Sequence, residues 1–144
     1  LDAARARFAD DPTVEVVEHD LDAPLGTLGD AGSFDAVVSC FAIHHCSHAR
    51  KGALYEEVFT LLEPGGVFYN LEHVASPTPE LHEAFFTALG MTLADEDRSN
   101  QLLDVETQAA WLREIGFVDV DCYWKWLEMA LLIGVKPAPM TCGP

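Results

Sequence analysis

His44, His45, Cys46 and His48 put three imidazoles and a thiol within one short stretch, and His73 follows downstream. Histidine changes charge near neutral pH, so each of these rings can take up or give a proton under physiological conditions. His45 and His73 are the candidates for a base that works on a hydroxyl, amine or thiol. Both residues also read as structural histidines. His44 and His48 are four apart and on one helix would share a face, as zinc ligands often do. No second pair of comparable spacing completes a site, so no metal is assigned. The plainer reading packs one histidine against a hydrogen-bond partner and leaves the others in water. A further candidate is Asp20, in Glu18-His19-Asp20-Leu21. A carboxylate just past the carboxyl end of a strand sits where open α/β sheets bind ligands. The plain alternative is that Asp20 caps a turn.

The elements that must position these groups follow from pattern. Residues 1–9 read as the end of a helix, broken by Asp-Asp-Pro-Thr. Residues 14–18 are short and β-branched, which predicts a strand. Residues 19–32 hold three glycines and a proline and read as loop. Residues 34–41 form a nearly continuous apolar run, the pattern of a strand covered on both faces. Ser47 caps a helix to about Leu62, with Leu54, Val58, Leu61 and Leu62 inward. Pro64-Gly65-Gly66 ends it, and residues 67–72 form the next strand.

Thr78-Pro79-Glu80 starts a helix with Leu81, Phe85 and Leu89 on one stripe. Residues 92–100 are polar and aperiodic. Asp104 caps a helix with Trp111, Leu112 and Ile115 inward, closed by Gly116. Val118, Val120, Cys122 and Trp124 alternate with polar partners and predict a strand paired with 127–135. Trp111 and Trp124 read as core residues, not as a cation cage. Residues 137–144 read as a flexible tail. Alternating helices and strands predict a single α/β layered domain over residues 1–136.

The chain has 144 residues, 24 acidic against 8 basic side chains, and a net charge of −16. That field repels phosphate backbones and anionic bilayers, and suits a neutral or cationic small molecule. No apolar run reaches membrane-spanning length. Cys40, Cys46, Cys122 and Cys142 show no disulfide framework, so reduced thiols and a cytoplasmic setting are expected. The opening Leu1 lies inside a helical pattern, as if the start cut through a domain.

Two stretches carry a resemblance: Phe34-Asp35-Ala36-Val37-Val38-Ser39-Cys40-Phe41-Ala42-Ile43-His44-His45 and Leu61-Leu62-Glu63-Pro64-Gly65-Gly66-Val67-Phe68. Together they resemble the second half of a class I S-adenosylmethionine (SAM)-dependent methyltransferase. The fold implied is a Rossmann-like methyltransferase sheet, N-terminally truncated, ending in an antiparallel strand pair. The family's glycine-rich loop has no counterpart here, because Gly26, Gly29 and Gly32 are too widely spaced to form it.

The resemblance implies SAM as cofactor. Asp20 would accept the adenine amino group, and the backbone N–H of Leu21 would meet the ring. Groups near Cys40, Phe41 and His45 would line the methionine part. Residues 74–103 would form a lid-like insertion that selects a small-molecule acceptor. In the family's sheet, two strands separate the counterpart of residues 14–18 from that of residues 35–41. Their lack predicts that strand 14–18 pairs directly with 36–40, borrows a partner in a homo-oligomer, or detaches. The first two outcomes are expected ahead of the third. SAM binding by this chain is expected to be weak or absent. A rival reading is a non-catalytic binding or assembly module of the same fold. A nicotinamide-binding domain is a weaker rival, since it too needs a glycine fingerprint.

Overall fold

The computed structural model describes residues 1–139; Cys142 and most of the expected tail lie outside the described residues. Among the described residues four α-helices and four strands follow in the order α1 (Asp2–Arg7), β1 (Phe34–Cys40), α2 (His48–Leu61), β2 (Leu62–His73), α3 (Pro79–Ala88), α4 (Val105–Ile115), β3 (Val118–Trp126) and β4 (Met129–Val135). The strands form one sheet in the order β1-β2-β4-β3. β1 runs parallel to β2, whereas β4 is antiparallel to both β2 and β3. This is the expected α/β architecture with its terminal antiparallel pair.

Local chemistry sets the helix boundaries. Ser47 Oγ accepts the Arg50 N–H, Thr78 Oγ1 accepts that of Leu81, and Asp104 Oδ1 accepts that of Thr107. Each satisfies an amide that the first turn leaves without a partner. Leu54, Val58 and Leu61 of α2 are buried, as is Leu112 of α4, and they pack with Phe68, Phe117 and Leu132 of the sheet side. Gly116 ends α4 at φ 117°, a conformation that a side chain resists. Gly66 lies where β1 and β2 converge. A Cβ there would stand 2.9 Å from the Glu63 carbonyl and 3.1 Å from that of Asp35.

Several expectations need correction. Residues 14–18 do not form a strand, and Val14 and Val17 are exposed. The first of the three outcomes, direct pairing with residues 36–40, is therefore not realised. A strand exists only where a neighbour takes its N–H and C=O groups, and β-branched composition cannot supply one. β1 is accordingly an edge strand and is not covered on both faces: Val38 is 72% exposed. Trp124 does not point inward, because the register of β3 against β4 shifts between Cys122 and Trp124 and breaks the alternation. On α3, Phe85 and Phe86 are buried while Leu81 and Leu89 are exposed. Leu127 belongs to the β3–β4 turn at φ 49°.

Candidate functional site

An ion pair pins the loop that carries Asp20 and Leu21 onto α2. Arg50 donates to both carboxylate oxygens of Glu57, at 2.6 and 2.9 Å, and to the carbonyls of Leu21 (2.6 Å) and Ala23 (2.8 Å). Glu57 in turn accepts the Leu25 N–H at 2.8 Å. The Arg50 hydrogen bond holds the Glu57 carboxyl below its usual range against the opposing effect of burial. Asp20 itself is exposed. Its Oδ1 accepts the Asp22 N–H at 3.0 Å and its carbonyl accepts the Ala23 N–H, so it does cap a turn. Leu21 is half-buried and packs against the core.

A cavity of about 400 Å³ lies between this loop, β1 and α2. Leu21, Ser39, Cys40 and Ala42 line it, and no charged side chain does. The structure therefore brings Leu21 and Cys40 to one cavity wall at the carboxyl end of β1. Ser39 Oγ is buried there without a hydrogen-bond partner. Phe41, just beyond β1, is held at φ 49° and donates its N–H to the Leu71 carbonyl at 2.9 Å. An apolar wall with one unpartnered hydroxyl fits a flat base and a thioether chain. No charged side chain lines it to meet a charged amino-acid end.

The histidines divide sharply. His44 and His48 do not share a helix face, because His44 lies in a 3-10 turn (Ile43–His45) ahead of the Ser47 cap. His48 is exposed, with Nε2 3.2 Å from the Leu102 carbonyl. His45 is exposed, with Nδ1 2.9 Å from Ser99 Oγ. His44 is buried, and its Nδ1 stands 2.6 Å from Oε1 of Glu72, a residue with 0% exposure. Burial pulls the His44 ring below its ordinary value, and the hydrogen bond and charge of Glu72 only partly offset this. Among the described residues no three His, Cys, Asp or Glu side chains gather as metal ligands.

Lys51 fixes the His44 segment from beneath. Its buried Nζ donates to the carbonyls of His44 (3.1 Å), Cys46 (2.5 Å) and Gln101 (2.8 Å). The Gln101 N–H closes the loop onto the His44 carbonyl at 2.9 Å. The aperiodic residues 92–100 are thereby stitched to the histidine turn. Their lack of pattern reflects packing onto another loop, not onto the sheet.

A second cavity of about 260 Å³ opens on the other side of this turn. His44, His45 and His73 line it together with Phe85, Phe86 and Asn100. The rings of His44 and His73 meet edge to face with centroids 5.7 Å apart. His73 is backed by Glu128, whose Oε2 is 2.8 Å from its Nε2. His45 and His73, the two histidines singled out as bases, thus both reach the cavity. Neither is as deeply enclosed as His44. Glu72 and Glu128 carried no signal in the sequence: they pair with histidines 28 and 55 residues away, through strand register and a hairpin.

Residues 1–66 match the family model described as a methyltransferase domain. No curated protein matches the chain. Among solved structures, an O-methyltransferase family protein from Burkholderia thailandensis aligns with a TM-score of 0.70 at 24% identity, over 96% of this chain and 41% of that one. A possible exported protein from Bordetella parapertussis aligns at 0.71 and 22% identity, over 95% and 50%. Human N-acetylserotonin methyltransferase, solved with SAM, aligns at 0.63 and 14% identity, over 94% and 37%. The chain spans half or less of the length of each of these structures. No helix among the described residues is long and apolar enough to cross a membrane. Residues 1–66 are thus similar to a methyltransferase domain, and the chain as a whole shares the fold of these solved structures.

Proposed function

We propose that the chain forms the acceptor side of a SAM-dependent methyltransferase acting on a neutral or cationic small molecule. The observation that supports this best is the buried His44–Glu72 pair at the wall of the second cavity. A carboxylate can only accept, so Glu72 keeps the ring proton on Nδ1 and leaves Nε2 as the basic nitrogen. Burial favours the neutral ring, which is the form that can take a proton from an acceptor hydroxyl, amine or thiol. His44 therefore replaces His45 and His73 as the foremost candidate base. Phe85 and Phe86 give the acceptor's apolar body a wall. Bound SAM would supply an electrophilic methyl group on sulfonium, and in-line placement would do much of the rest.

On the cofactor side, Leu21 and Cys40 would line the adenosyl and thioether parts, with Asp20, Phe41 and His45 at the rim. Residues 74–103 would act as the selecting insertion. Among the lining residues only the Ser39 hydroxyl could meet ribose and no charged side chain could meet the methionine end, so binding is expected to be weak or absent. The test is titration calorimetry with SAM, followed by transfer of labelled methyl from millimolar SAM to a panel of small hydroxy, amino and thiol compounds. Transfer that survives His44→Gln unchanged would remove the case for this base. Binding without any transfer would favour the non-catalytic alternative.

The unpaired edge of β1 supports a second proposal, a homo-oligomer formed by strand addition between copies. Val38 stands 72% exposed on that strand, and an open row of amides and carbonyls is a template for pairing. A cytoplasmic setting is proposed on the free thiols of Cys40, Cys46 and Cys122.

A further inference from the structure

Glu128 sits in the β3–β4 turn with 0% exposure, and each of its carboxylate oxygens meets a different histidine. Oε2 is 2.8 Å from Nε2 of His73, at the end of β2. Oε1 is 2.8 Å from Nδ1 of His82, on α3. The Glu128 carbonyl also accepts the Val74 N–H at 2.7 Å, so the turn itself is anchored to the chain after β2. α3 contributes Phe85 and Phe86, the apolar wall of the second cavity. Ring contacts continue the joint: Phe85 lies 5.1 Å from His73 and 6.1 Å from Trp126, and Phe86 lies 5.1 Å from His82. Glu128 is thus the polar joint between the α3 wall of the cavity and the sheet.

We propose that His73–Glu128–His82 is a proton-operated latch that holds α3 over the cavity and releases it when His82 loses its proton. This goes beyond the methyl-transfer reading and stands without it, since it concerns only how α3 is held.

The groups that face the latch all favour a charged His82. Glu128 reaches it from the β3–β4 turn, and Glu96 Oε2 lies 3.6 Å from its Nε2. The Glu128 hydrogen bond is the largest reason that the His82 value is raised, with the charges of Glu128 and Glu96 adding to it. Burial pushes Glu128 up, but hydrogen bonds from Ser76, His73 and His82 outweigh it and hold the carboxyl below its usual range. The charged clasp is strong because Glu128 is dry. When His82 turns neutral, the clasp weakens to an ordinary hydrogen bond beside the packing of Phe85 and Phe86, and the buried carboxylate loses this cation. α3 is short, and Phe85 and Phe86 are its buried residues. It is therefore the element whose local opening should track this proton.

Hydrogen exchange of the α3 amides in the whole chain, between pH 6 and 9 and corrected for intrinsic rates, tests the latch. Protection of α3 is expected to fall several-fold as pH rises through the His82 titration, while α4 holds its protection. His82→Gln keeps a donor but no charge, and should make α3 protection low and independent of pH. Glu128→Gln should lower it at pH 6 and return the His82 ring-proton shift to an ordinary histidine titration. Three results overturn the proposal: pH-independent α3 protection in the unmodified chain, a pH response that persists in His82→Gln, or parallel loss across α3, α4 and the sheet.

Discussion

His44 Nδ1 stands 2.6 Å from Glu72 Oε1, at the meeting of a 3-10 turn and the second strand, with almost no solvent on either side chain. The contact depends on β2 running alongside β1, because β1 delivers the chain into the His44 turn. The parallel register, with Cys40 opposite Leu71, brings the end of β1 level with Glu72.

If this pair is the base, Glu72→Gln and His44→Gln should each lower methyl transfer roughly 10²- to 10⁴-fold. The rate should rise with pH through a midpoint below that of a free histidine, because burial favours the neutral ring. A pH–rate profile on the first acceptor found in the panel checks both statements. A midpoint at or above the free-histidine value would count against His44.

Stability should respond to pH with opposite signs at two histidines. The His44 value is lowered on folding, so its contribution is present above the ordinary value of 6.5 and is lost as pH falls. The His82 value is raised, so its contribution is present below 6.5 and is lost as pH rises through the folded value. Urea midpoints measured from pH 5 to 9 should show His44→Gln flattening the acid limb and His82→Gln the alkaline limb.

Lys51→Met should destabilise the fold by about 1–3 kcal/mol, the usual consequence of stranding buried polar groups. Three carbonyls lose a donor, those of His44, Cys46 and Gln101. The substitution should also shift the His44 ring-proton signal, since the turn that holds the ring depends on Lys51. Chemical denaturation and NMR on the same sample check the two effects together.

Val38→Lys should abolish self-association through β1. A charged side chain on an edge strand discourages pairing, and Val38 is exposed enough to carry it without disturbing the core. Sedimentation velocity over a concentration series should show the unmodified chain associating and the variant remaining monomeric.

Elements governed by near neighbours could be read from the sequence. The caps at Ser47, Thr78 and Asp104 and the stop at Gly116 need only residues within one turn, and all are as expected. The pairing of β3 with β4 was legible for the same reason. What failed depends on distant chain. Residues 14–18 have the composition of a strand but no neighbour. Trp124 has the alternation of a core residue but follows a bulge. At the site, Leu21 and Cys40 were named only through the family resemblance, and in the structure they line one cavity. Glu72 and Glu128 were not, because a carboxylate inside an apolar strand or a turn shows its purpose only once its histidine arrives.

The bare flank of β1 also bears on how the chain behaves in the test tube. Among the described residues nothing pairs with that flank, so keeping molecules apart falls to their shared negative charge, −16 in all. At about 0.1 M salt such repulsion reaches only about 10 Å. Turbidity on storage should therefore grow with added sodium chloride, and dilute low-salt buffer should be the condition in which the preparation keeps.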